Sequence, residues 1–196
     1  FYDFFGKITG KAISEDGLVA HYKFENNVQD SAGNNHGTNN GASFVDGKIE
    51  KGLNLNGNSY VELIDIDLGE EFTISTWINR KTQTGNNFIG IIDKLKRWET
   101  GYSIAAYPGW DGLSFIGYTS ESGWFNVLFN SENKNEWYHV TVIYDNGMIK
   151  TYTNGQMSNI LDRTGETLTK NSLPLKLGVQ GEDYFNGLVD EIKIWN

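Results

Sequence analysis

The chain has 196 residues, no cysteine and a formal net charge of -9, which excludes a disulfide framework, a thiolate metal site and a cysteine nucleophile. Its acidic balance disfavours nucleic acid and anionic membrane surfaces as partners. The length suits one hydrophobic core, and no apolar run reaches the length of a membrane span.

The first residues, Phe1 to Gly17, open with Phe1, Tyr2, Phe4 and Phe5 and then turn polar. The chain begins without methionine and is expected to be a processed chain or an excised piece. Residues 1–16 read as an aromatic lead-in or linker, and the Phe1 to Phe5 cluster as the stub of a preceding element or a contact for a protein partner. From Leu18 the sequence alternates: Leu18, Ala20, Tyr22 and Phe24 share one parity and Val19, His21, Lys23 and Glu25 the other, the period of a strand with one apolar face. Asp30-Ser31-Ala32-Gly33-Asn34-Asn35-His36-Gly37 follows, a loop of oxygen-bearing side chains between glycines. That composition suits a hard cation such as calcium and equally suits an Asn-Gly turn.

Short apolar alternations separated by glycine run from Ala42 to Leu63, and Phe72 to Asn79 carries large or β-branched residues on both faces, as a central strand does. Strands are expected over 88–93, 102–107, 112–119 and 124–130, joined by polar turns, with Trp98, Trp110 and Trp124 at or beside them. Glu136 to Tyr144 alternates strictly, and Asp145-Asn146-Gly147 is a strong hairpin signal before Met148 to Thr153. Leu173 to Val179 and Phe185 to Trp195 supply the last strands, with Leu188, Asp190, Ile192 and Ile194 on one parity. No segment repeats apolar residues at helical spacing, so the expected architecture is all-β, a two-sheet antiparallel jelly-roll sandwich over residues 17–196.

Gly17 to Phe24, Asp30 to Gly37, Gly52-Leu53-Asn54-Leu55-Asn56-Gly57, Phe72 to Trp77, Trp137-Tyr138-His139-Val140 and Phe185 to Ile192 together resemble the concanavalin A-like, laminin G-like jelly-roll domains of secreted bacterial and archaeal proteins. The resemblance implies a secreted or cell-surface module. The fold hosts lectins, carbohydrate-binding modules, adhesive domains and some glycosidases. It also implies a structural calcium ion between the first loop and the last strand, held by Asp30, Asn35 and Asp190, with Asn34 and carbonyls around Gly37 as weaker candidates. If the face shared by Leu188 and Ile192 is core, the Asp190 carboxylate requires a cation or dense hydrogen bonding.

Sugars are bound by aromatic faces beside amides and carboxylates. Trp98, Tyr102, Tyr107, Trp110, Asp111 and Trp124, gathered in the middle third, are therefore the expected ligand-binding residues, with a glycan or polysaccharide as partner. The alternative for each aromatic is packing within or along the sandwich. Trp77, Trp137 and Trp195 lie in firm strand patterns and read as structural. His21, His36 and His139 are isolated and form no metalloprotease pattern. Glu62, Asp65 and Asp67 superficially resemble the acidic strand of the fold's glycosidases, but Glu62 and Asp67 have opposite parity and no glutamate follows at the matching offset. No nucleophile elbow appears either. The expectation is a non-catalytic recognition module; a structural or adhesive domain that binds protein is the alternative.

Overall fold

The computed structural model describes residues 16–66, 68–83, 87–96, 99–108, 112–130 and 133–196. The Phe1 to Phe5 segment lies outside them. The first half of the chain supplies β1 (Leu18–Tyr22), β2 (Thr38–Asn40), β3 (Ser43–Asp46), β4 (Lys51–Asn56), β5 (Tyr60–Glu62), β6 (Glu71–Arg80), β7 (Ile89–Asp93) and β8 (Tyr102–Tyr107). The second half supplies β9 (Gly112–Thr119), β10 (Gly123–Leu128), β11 (Trp137–Asp145), β12 (Met148–Thr153), β13 (Gln156–Asp162), β14 (Lys176–Leu177), β15 (Val179–Gln180), β16 (Asp183–Tyr184) and β17 (Asn186–Trp195).

The strands form the expected two-layer all-β sandwich. An eight-stranded sheet runs β13-β12-β11-β6-β17-β4-β3, with β1 also paired to β17, and a seven-stranded sheet runs β10-β9-β8-β7-β14-β5-β2. Long crossovers are visible in that order: β6 lies between β11 and β17, and the pairs are antiparallel. The small β15-β16 hairpin pairs only with itself and packs against β7, where Gln180 donates to Asp93.

Alternation decides what lies between the layers. On β6, Phe72, Ile74 and Ile78 are buried in the common core, as are Tyr138, Val140, Val142 and Tyr144 of β11 and Leu113, Phe115, Phe125 and Val127 of β9 and β10. Phe72 joins the sheets: its ring stacks on Tyr144 at 5.2 Å between centroids and meets Tyr102 at 5.6 Å and Phe115 at 6.4 Å. Each such buried ring contributes about 1.5–3 kcal/mol relative to exposure. The hairpin expected at 145–147 closes with Asn146 at φ 47° and Gly147 at φ 89°. Two successive left-handed residues match the right-handed strand twist, which is why Asn-Gly occupies them.

Two expectations are corrected here. The strand foreseen over 173–179 is broken at Gly178 (φ 85°), whose added Cβ would lie 2.7 Å from Leu55 Cδ2. The chain therefore turns between β14 and β15. The continuous alternation foreseen from 188 to 194 is also interrupted. The β17–β6 register slips between Asp190 and Lys193, and Glu191 takes φ 52°. This bulge puts Val189, Ile192 and Ile194 in the core while Leu188 is half-buried. Asp190 pairs with Trp77 on the outer parity and is buried by the 46–51 turn rather than by the core.

Candidate functional site

The register of the seven-stranded sheet gathers polar chemistry on its outer surface. Tyr102, Ile104 and Ala106 of β8 face the core, so Ser103, Ala105 and Tyr107 face outward. By the same alternation Ser114, Ile116 and Tyr118 of β9 and Trp124, Asn126 and Leu128 of β10 lie outside. Pairing then aligns Asn126, Ile116, Ser103, Asp93, Lys176 and Glu62 in one row across β10 to β5. Five strand spacings make that row about 24 Å long.

Aromatic rings stand on the same face in two groups. The Phe88 ring, just before β7, lies 4.9 Å from Tyr107 at the end of β8 and 6.3 Å from Trp124 of β10, and Trp124 is 42% exposed. Near β5, Tyr60 and Tyr184 stand 6.4 Å apart, and the Lys176 ammonium lies 5.6 Å above the Tyr60 ring. Lys176 also reaches Glu62 at 3.5 Å. Asn87 donates to Asp183 Oδ2 at 3.0 Å beside this end.

Asp93 occupies the middle. Burial pushes its carboxyl up to about 7, while the Ser103 and Gln180 side chains, the Leu95 amide and the Lys176 charge pull the other way. Gln180 donates to its Oδ1 at 2.9 Å. Gly90 makes room for it, because a Cβ there would meet Asp93 Cβ at 2.7 Å. Among the described residues the buried Ser114 Oγ and Asn126 Oδ1 have no hydrogen-bond partner. Buried polar atoms of this kind are uncommon.

The expected ligand residues divide accordingly. Trp124 and Tyr107 lie on this outer face. Tyr102 does not: its ring packs against Phe72 and Phe115 in the core, because it shares parity with Ile104 and Ala106. Trp98, Trp110 and Asp111 lie outside the described residues. Sequence reasoning missed Phe88, Asp93, Asn126 and Gln180. A carboxylate closing the apolar run Ile89 to Ile92 was the available signal for Asp93.

The expected calcium ligands occupy two separate hydrogen-bonding sets. Asp30 Oδ1 accepts from the His21 and Ala32 amides, both at 2.9 Å, and Oδ2 from the Asn35 amide at 3.1 Å and the Asn35 side chain at 3.0 Å. Those donors hold its carboxyl below the usual carboxylate range despite burial, and they fill the roughly four acceptor sites of a carboxylate. Gly37 fits against Leu63 and Val61, where a Cβ would collide at 2.7 Å and 3.0 Å. The Asn35 carbonyl accepts from the Tyr22 hydroxyl, and Asn34 is exposed in the same loop.

Asp190 is different. Its Oδ2 accepts from the Lys48 and Ile49 amides, both at 2.9 Å, and its Oδ1 from the Glu191 amide at 2.8 Å. Burial, with the Glu191 charge adding to it, raises this carboxyl to about 6. It makes no ion pair among the described residues. Glu25 holds the other side of the same turn, its oxygens 3.2 Å and 3.4 Å from the Lys51 amide. One acceptor direction of Asp190 stays open, so Asp190 fits a cation better than Asp30 does.

Comparison with the curated proteins gives no match. Among solved structures, domain 4 of AbnA, a GH43 extracellular arabinanase from Geobacillus stearothermophilus in complex with arabinotriose, is 28% identical with a TM-score of 0.71, covering 91% of this chain and 92% of that one. The binding domain of Paraclostridial Mosquitocidal Protein 1 is 18% identical with a TM-score of 0.76, covering 92% of this chain and 49% of that one. The binding domain of Botulinum Neurotoxin DC in complex with SialylT is 20% identical with a TM-score of 0.75, covering 92% of this chain and 48% of that one. The chain thus spans about half the length of those toxin binding domains. The family model described as the Concanavalin A-like lectin/glucanases superfamily matches residues 55–196, most of the sandwich, and the chain belongs to that superfamily.

Proposed function

We propose that this chain is a non-catalytic carbohydrate-binding module of a secreted or cell-surface protein, and that its glycan lies on the outer face of the seven-stranded sheet. One observation carries the reading: the Phe88, Tyr107 and Trp124 rings stand on the same outer face as the polar row that runs from Asn126 through Ser103 and Asp93 to Glu62. Rings supply apolar faces for the sugar's C–H groups, and the partly exposed Lys176 and Glu62 side chains at the end of the row supply partners for its hydroxyls. The arabinotriose complex of the AbnA domain supports the ligand class, as does the SialylT complex of the neurotoxin domain. The test is calorimetric titration with arabinotriose and a panel of neutral oligosaccharides: the parent protein binds one of them and Trp124→Ala loses at least about tenfold, the worth of one good aromatic contact. Retention of full affinity by Trp124→Ala and Tyr107→Ala removes the site from this face.

A protein partner is the second reading, favoured by Leu128, Met157 and Ile160, which are 43%, 51% and 52% exposed. They stand on β10 and β13, the edge strands of the two sheets, which meet where Thr151 and Asn159 donate to the Leu128 carbonyl. The neurotoxin domain in complex with rat synaptotagmin II belongs to the same fold.

Calcium enters this proposal as a structural ion. Asp190, with Glu25 on the same turn, would hold it, and its charge would answer a carboxylate that burial otherwise drives toward protonation.

A further inference from the structure

We propose that the outer face of the seven-stranded sheet selects uncharged glycans and rejects acidic ones, with Asp93 as its central specificity-determining residue. The inference rests on the carbohydrate-binding reading and names the class of sugar that reading leaves open.

The charges around the row decide it. Asp93, Glu62 and Asp183 place carboxyls on or beside the face. Lys176 is the cation the register puts in that row, and its ammonium is already shared between Glu62 at 3.5 Å and the Tyr60 ring at 5.6 Å. A sialic or uronic carboxylate would have to pull Lys176 from both partners and then sit among like charges. Recognition of a carboxylate instead calls for a cation presented with its donors free, as a bidentate arginine presents them. The whole chain, at formal net charge -9, adds repulsion at longer range.

Neutral hydroxyls meet a different situation. The groups around Asp93 are Ser103 on β8, Lys176 on β14 and Gln180 on β15. Gln180 occupies one oxygen of Asp93, and the Ser114 hydroxyl and the Asn126 carbonyl oxygen have capacity unspent. Between them these groups offer both acceptors and donors, which matches a sugar hydroxyl that needs one of each. A carboxyl that burial raises to about 7 is partly protonated near neutral pH and in that form can itself donate.

The experiment titrates four proteins, the parent, Trp124→Ala, Asp93→Asn and the double variant Glu62→Gln/Asp183→Asn, with the best neutral oligosaccharide of the panel, with trigalacturonate and with 3′-sialyllactose. The parent is expected to bind the neutral ligand at least tenfold more tightly than either acidic one. The double variant should narrow that ratio by raising acidic affinity. Asp93→Asn should change the ranking among neutral sugars. Equal or tighter binding of trigalacturonate or sialyllactose by the parent, lost in Trp124→Ala, overturns the selection and leaves the site standing. An unchanged ratio in the double variant overturns the electrostatic origin. Binding that Trp124→Ala does not weaken, for any ligand, overturns the site and the selection together. Circular dichroism and melting of each variant verify that a lost signal is not lost folding.

Discussion

Asp30 and Asp93 are both buried carboxyls, and they have opposite fates. At the seam of the first and last strands, four N–H donors close on Asp30 and keep it ionised. On the outer face of the seven-stranded sheet, Asp93 is buried beside a hydroxyl, an amide side chain and one lysine, and burial wins. Burial alone therefore does not mark a functional carboxyl. What separates the two is the balance: four N–H donors outweigh burial at Asp30, whereas deeper burial outweighs the Ser103, Gln180 and Leu95 donors at Asp93.

On the outer surface of the other sheet Lys48 caps the Trp77 ring at 4.4 Å and His139 meets it edge-on at 5.1 Å. His21 pairs with Glu191 at 2.7 Å, and Lys193 reaches the same carboxylate at 3.5 Å. Around Trp77 that surface pairs its polar groups with one another, although the buried Tyr152 hydroxyl farther along the sheet finds no partner among the described residues.

The largest effect expected to test this contrast is on Asp93. Its carboxyl binds a proton more tightly in the folded state, about 7 against an ordinary value near 4. Between those values the folded state holds the extra proton, so this group lowers stability as pH rises through the window and costs most above pH 7. Asp93→Asn removes that cost, up to about 4 kcal/mol at pH 8 and none below pH 4. Melting curves at pH 4, 6 and 8 read it, and a parallel pH profile for parent and variant would break the contrast. His139, pushed down to about 4 by burial and Lys193, acts in the other direction below pH 6.5, so the comparison is between variants and not between absolute curves.

Asp30→Ala should destabilise by about 3 kcal/mol by leaving buried donors unpaired, a loss of about 6–12 °C in Tm at this size. Because the cause is hydrogen bonding, the loss should be the same in calcium and in chelator. A loss that appears only in calcium returns Asp30 to the ion. Calcium added to chelator-treated protein at a hundred times its dissociation constant should raise stability by about 2.7 kcal/mol. That rise should vanish in Asp190→Asn and persist in Asp30→Ala, and no rise in the parent would remove the ion from the seam. Smallest is Trp124→Ala, about 1.4 kcal/mol in glycan binding, with a Tm change within about 2 °C because the ring is already substantially exposed. A larger loss of Tm would make Trp124 part of the fold rather than of the site.

Much of the fold was legible because period-two patterns and Asn-Gly turns are local. β8, β9 and β12 begin and end where the alternation does. Tyr102 was misplaced although its parity with Ile104 and Ala106 was available, because periodicity identifies two faces without saying which one meets the other sheet. The Glu191 bulge has no local signature: it is a slip of register against β6, next to an Asp190 carboxylate that accepts from the distant 46–51 turn. Phe88 was hidden for a related reason: it reaches Trp124 across two intervening strands, a neighbour that only strand order reveals.

That bulge also governs how the molecule bears load. β17 is held by β6 along one side and by β4 and β1 in succession along the other. A force along it at Trp195 must shear many hydrogen bonds together instead of opening them one by one. The extra residue at 191 works as a ratchet tooth: a one-residue slide would drive the bulged backbone into β6 and carry Val189, Ile192 and Ile194 out of the core. The last strand is thus a mechanical lock as well as a layer of the sandwich, and removing residue 191 would turn that lock into a slipping clutch.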